Sequence, residues 1–197
     1  RGLGDVYKRQ PTIYVENGKY YLTGTRNQEP QGFAILESTD LEHWTVPDDT
    51  SLQLILRKGD QTYGEKGFWA PQYFKDKRTY YFTYTANEQT VIASSKSVFG
   101  PFRQKEVKPI DASAKNIDSF LFKDDDGKYY LYHVRFNKGN YLWVAEFDIK
   151  KGSIKPETLK QCMDCTEPWE KTPNYKSAPV MEGPTVMKWD GVYYLFY

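Results

Sequence analysis

The sequence predicts an all-β fold of the propeller class, and three observations carry that prediction. One phrase of β-forming residues occurs four times, and a polar turn divides each copy at nearly the same place. Further β-rich runs follow the first three copies, and the copies recur at periods of the length found in propellers and other arrays. No long stretch shows the 3.6-residue period of an amphipathic helix.

Taken in order, Pro11-Thr12-Ile13-Tyr14 leads to Tyr20-Tyr21-Leu22 across Glu16-Asn17-Gly18-Lys19. Pro71-Gln72-Tyr73-Phe74 leads to Tyr80-Tyr81-Phe82 across Lys75-Asp76-Lys77-Arg78. Ser119-Phe120-Leu121-Phe122 leads to Tyr129-Tyr130-Leu131 across Asp124-Asp125-Asp126-Gly127-Lys128. Pro184-Thr185-Val186-Met187 leads to Tyr193-Tyr194-Leu195 across Asp190-Gly191. The offset to the first Tyr is 9, 9, 10 and 9, and the copies start 60, 48 and 65 residues apart. Each copy reads as a hairpin, because Asn-Gly and Asp-Gly supply the two positive φ angles a tight hairpin turn needs. A blade needs four strands. Candidates for the remaining two are Gly32–Ser38 with Trp44, Thr90–Ser95 with Gly100-Pro101-Phe102, and Tyr141–Phe147 with Gly152-Ser153-Ile154. Ser38–Trp44 is long enough for a short turn of helix. The fourth copy stops after its hairpin. A Tyr-rich β-sandwich is the rival fold, but sandwiches seldom repeat one phrase at a constant offset.

Bulk properties narrow the function. The chain has 197 residues, enough for a sizeable core, and a net charge of +1 with the signs mixed. No basic stripe points to nucleic acid, and no apolar run approaches the ~20 residues of a membrane span. Aromatics make up 17 % of the residues, which suits strands and sugar-stacking surfaces alike. The pair Cys162/Cys165 has no second C-x-x-C or His pair beside it, which favours two loop thiols or a local bridge over zinc. His43 and His133 lack partners at ligand spacing and read as structural. The triple Asp124–Asp126 does not follow the spacing of a calcium loop and reads as a turn.

Both ends read as those of a piece. Residues 1–10 have no signal-peptide anatomy and resemble a translated adaptor or cloning remnant. The native domain is expected over residues 11–197. Tyr197 falls inside a strand, so an internal part of a longer protein is expected, truncated in its fourth blade.

In a propeller the first strand of every blade meets the central channel. The residues opening the four copies are Gln10, Ala70, Asp118 and Gly183, with Trp69 and Glu182 one step earlier. Asp118 and Glu182 therefore come from different blades toward one channel. Paired carboxylates across a cavity are the equipment of glycoside hydrolysis, one donating a proton to the leaving oxygen and the other activating water or attacking. The bland readings are a turn cap for Asp118, a surface loop for Glu182 and core packing for Trp69.

Four groups of residues resemble glycoside hydrolase family 43: Phe68-Trp69-Ala70-Pro71; Ile117-Asp118-Ser119 with Asp124–Lys128; Ser94 with Gly100-Pro101-Phe102; and Glu182-Gly183-Pro184. The resemblance runs from residue 11 to 197. It implies a five-bladed propeller, here with about three and a half blades, that hydrolyses xylosides, arabinosides or galactosides with inversion. It implies Glu182 as general acid and Asp118 as the residue that tunes the acid and orients the sugar. Trp69 and Ile117 would contact substrate. The family's general base is an Asp before the first Pro-Thr-Ile, and here that position is Gln10. A neutral amide cannot take a proton from water, so the printed chain is expected to be inactive or slow. No cofactor is required, and a structural calcium is possible by resemblance, though no ligands for it are legible. The implied partner is a pentose- or galactose-containing oligosaccharide; the compartment is not legible in the sequence, and a secreted or periplasmic place is favoured only because enzymes acting on plant polysaccharides are usually exported. An inverting pair should stand about 6.5–9.5 Å apart. The competing readings are a non-catalytic carbohydrate-binding propeller and a scaffold for protein partners.

Overall fold

A computed structural model describes residues 9–47, 54–171 and 178–197. The first eight residues of the expected leader lie outside the described residues, while Arg9 and Gln10 begin a strand. The chain divides into two compact units. One runs to Asn87 and includes Val91–Pro109; the other joins Glu88–Thr90 to Ile110–Tyr197.

In the first unit β1 (Arg9–Glu16), β2 (Lys19–Thr25), β3 (Gly32–Ala34) and β4 (Leu36–Ser38) are followed by β5 (Leu54–Arg57). Next come β6 (Trp69–Asp76), β7 (Thr79–Ala86) and β8 (Gln89–Ser95), the last of which begins in the other unit. The sheets are β1-β2-β4, β3-β5 and β6-β7-β8. The run 32–38, read as one strand, is two. Phe33, Ala34 and Ile35 are wholly buried and Leu36 nearly so, so the run serves two sheets instead of one half-solvated face. Gly32 makes this possible, since a Cβ there would lie 2.2 Å from the Leu56 carbonyl oxygen. Phe33 packs against Phe68, Phe82 and Tyr84, and Phe82 against Tyr73 and Phe102, forming one aromatic core.

The second unit contains β9 (Asn116–Lys123), β10 (Tyr129–Phe136), β11 (Asn140–Asp148), β12 (Ser153–Ile154) and β13 (Lys160–Gln161). It ends with the hairpin of β14 (Thr185–Trp189) and β15 (Val192–Phe196). The order β12-β11-β10-β9 gives the third copy its four strands, with β13 also on β11. The first two copies have three strands, and the isolated bridges Glu37–Thr45 and Ser94–Arg103 stand where a fourth was expected. The stretch 38–44 is a bend rather than a turn of helix. Asp40 Oδ1 accepts the N–H groups of Glu42 and His43, and Leu41 takes a left-handed φ of 68°, which a helix does not allow.

The turns form as their residues dictate. Asn17 and Gly18 have φ of 52° and 73°, and Asp190 and Gly191 48° and 77°, the signs of a type I′ turn. Adjacent hairpins share a second device. In the first unit the Lys75 ammonium and the Tyr80 hydroxyl both donate to Glu16. In the second, Lys188 and Tyr193 both donate to Asp124, and Lys188 also pairs with Asp125 at 2.8 Å. Counted from the start of each phrase, the acid is five residues in, the Lys four and the Tyr nine. Each Lys also sits over the ring of its Tyr, at 4.6 and 4.7 Å. The Asp124–Asp126 turn is thus spent on holding a neighbouring hairpin. Tyr193 and Lys188 together drop the Asp124 carboxyl to about 2.

Candidate active site

The residue opening each copy has left-handed backbone: φ is 50° at Gln10, 46° at Ala70, 51° at Asp118 and 64° at Gly183. In β1, β6 and β9 the ladder slips at that residue, between Arg9 and Thr12, Trp69 and Gln72, and opposite His133. These are β-bulges, which re-aim a side chain out of the pleat. Three of the four positions are not glycine, and left-handed backbone costs such residues ~1–2 kcal/mol each. The same strained backbone thus recurs at the opening residue of the first three copies.

In the first unit, Gln10 Oε1 accepts the Thr25 hydroxyl at 2.6 Å and the Ala70 N–H at 3.2 Å. Thr25 is itself fixed, its hydroxyl accepting the Ala70 N–H at 3.0 Å. The oxygen at position 10 is therefore held by two donors from neighbouring strands. Trp69 is half-buried at the start of β6, and Gly67 passes beneath its indole, where a Cβ would lie 3.1 Å from the ring.

In the second unit Asp118 is 3 % exposed, on the bulge opposite His133. His133 is buried, and its Nε2 accepts Arg135 Nε–H at 3.0 Å. The ring proton is left on Nδ1, 3.3 Å from the Leu131 carbonyl. Burial pushes the imidazole down to about 4. Arg135 pairs in turn with Asp111. A neutral, donor-locked His thus backs the strand that carries Asp118.

Glu182 is exposed, and Asn140 Nδ2 donates to its Oε1 at 2.6 Å. Asn140 and Ile117 also line a cleft of roughly 340 Å³ with Asn116, Val134, Phe136 and the Glu88–Lys115 ion pair. The second unit therefore puts the residue before Asp118 and the partner of Glu182 on one cleft. Gln10 and Trp69 belong to the first unit.

The sequence matches the glycosyl hydrolases family 43 over residues 5–197. The chain belongs to that family. A solved endo-1,4-beta-xylanase from Bacteroides thetaiotaomicron VPI-5482 is 41 % identical with a TM-score of 0.84, over 94 % of this chain and 61 % of that one. A xylosidase/arabinosidase of Butyrivibrio fibrisolvens is 28 % identical over 95 % of this chain and 36 % of its own length. The extracellular endo-alpha-(1->5)-L-arabinanase 1 of Bacillus subtilis (strain 168) is 27 % identical over 98 % of this chain and 60 % of its own. The chain thus spans between about a third and three fifths of these relatives. Its fold is the incomplete five-bladed propeller that the repeat and the resemblance implied.

The partner of Glu182, Asn140, is not marked by the sequence pattern. It lies outside the repeated phrase, at the start of β11, and only pairing of 139–141 with 179–181 brings it to Glu182. Among the described residues no group of three or more His, Cys, Asp or Glu is placed to hold a metal ion. Cys162 and Cys165 are free thiols, and burial pushes Cys162 up to about 11, away from the thiolate that redox chemistry uses.

Proposed function

We propose that the whole protein hydrolyses O-glycosidic bonds of plant cell-wall glycans, of the xyloside, arabinofuranoside or galactan type, with inversion. Glu182 is the general acid, Asp118 orients the sugar and tunes the acid, and a carboxylate at position 10 is the general base. Trp69 and Ile117 contact the sugar. The observations that carry this reading are two carboxylates of the second unit: buried Asp118 on its strained bulge, and exposed Glu182 hydrogen-bonded by Asn140, a residue that lines a cleft. Family membership and the xylan- and arabinan-acting names of its relatives support the substrate class.

With Gln at position 10 the printed chain has no group there to accept a proton from water, and it hydrolyses slowly or not at all. The same amide favours a second reading, a propeller that binds carbohydrate without cleaving it. The test is to express the complete protein with Asp and with Gln at position 10 and assay aryl xylosides, arabinofuranosides and galactosides. The first reading requires turnover of at least one by the Asp form. Sugar binding with no turnover by either form decides for the second.

A further inference from the structure

We propose that Asn140 is a positioning residue for Glu182, fixing which carboxyl oxygen carries the catalytic proton; the proposal rests on Glu182 being the acid. A side-chain amide nitrogen can only donate. Asn140 Nδ2 donates to Oε1 at 2.6 Å, and a carbonyl oxygen accepts an N–H better than an acid hydroxyl does, so the contact favours the acidic proton on Oε2. That leaves Oε2 as the oxygen that faces a leaving group.

The contact is built in from both sides. The Asn140 N–H donates to the Pro179 carbonyl at 2.9 Å, and its own carbonyl accepts the Met181 N–H at 2.9 Å. The short segment leading to Glu182 is therefore stapled to the first residue of β11. Met181 is 1 % exposed and packs with Val134 and Leu142. Gly139 lets the turn approach, since a Cβ there would lie 2.8 Å from Pro179 Cδ and 2.9 Å from its oxygen. Asn140 also lines the cleft, so one residue touches both the acid and the cleft.

The test uses the complete protein with a carboxylate at position 10, comparing the parent with Asn140→Leu and Asn140→Asp on two glycosides of one sugar. One leaves as dinitrophenolate and needs no proton; the other leaves as an alcohol and does. Expected is a kcat loss of about 10- to 100-fold on the alcohol substrate, a share of the ~10²–10⁴ that acid catalysis supplies, with KM little changed. The dinitrophenyl substrate should stay within about twofold, which also reports that the variants are folded. Asn140→Asp, which sets acceptor against acceptor, should lose at least as much. Equal losses on both substrates, or none on either, overturn the proposal. In parallel the ¹⁵N-labelled side-chain amide of Asn140 is followed against pH. A step that Glu182→Gln abolishes is expected, and its absence overturns the contact whatever the parent's activity. A parent inactive on every glycoside overturns the glycosidase reading itself, which the amide titration distinguishes from loss of the contact.

Discussion

His133 is a buried base of the second unit, and its environment makes a pH prediction. Its imidazole is desolvated to about 4 in the folded chain, against about 6.5 for an ordinary histidine. Between those values the unfolded chain binds a proton that the folded chain refuses. Stability from this group is complete above pH 6.5 and falls as pH drops toward 4, by up to about 3 kcal/mol. Urea unfolding of the parent should show a midpoint that falls across that window. His133→Gln should be less stable at pH 7 but fall less steeply, and equal slopes would remove His133 as the cause. The residue shows where sequence reading stops. Its lack of a ligand partner was legible, but its lock by Arg135 and Leu131 depends on the fold. Asp118 and Glu182 could be singled out because they stand at or beside repeat positions; Asn140 could not, because its partner is 42 residues away in a segment with no pattern of its own.

Hairpins were the most legible elements, since the turn chemistry of Asn17-Gly18 and Asp190-Gly191 is local. The division at Ile35 was hidden because a wholly buried run has no alternation to reveal which sheet it serves. The acid-Lys-Tyr clamps were written in the repeat all along, at positions five, four and nine, and aligning the copies for polar as well as aromatic residues would have found them. Burial opposes ionisation of Glu16, yet the hydrogen bonds from Lys75 and Tyr80 outweigh it and bring its carboxyl below the usual range. Part-buried charge networks carry more than isolated surface pairs, whose worth is small. Glu16→Gln and Tyr80→Phe should each lower the melting temperature by a few degrees, and the double variant by less than the sum. Full additivity in that cycle would mean that the two groups do not act together.

Across the chain, one left-handed residue recurs at the start of each copy, in the first three as a bulge, and the proposed function gives the first of them the general base. Gln10 sits where two donors, the Thr25 hydroxyl and the Ala70 N–H, meet one acceptor oxygen. For an amide those donors merely hold the side chain. For a carboxylate they favour the ionised form, which a base must be in before it can take a proton. Exchange of Gln10 for Asp in the complete protein should therefore raise kcat by about 10²–10⁴-fold. KM should move little, because the base touches water rather than sugar. The product decides the mechanism independently of the rate. A base acting through water delivers oxygen to the face opposite the leaving group, so ¹H NMR during turnover should first show the inverted anomer, with the other arising only by mutarotation. A first-formed product of retained configuration would mean that a carboxylate attacks the sugar directly. Position 10 would then be a nucleophile rather than a general base, and Glu182 would serve first as acid and then as the base that activates water on the covalent intermediate.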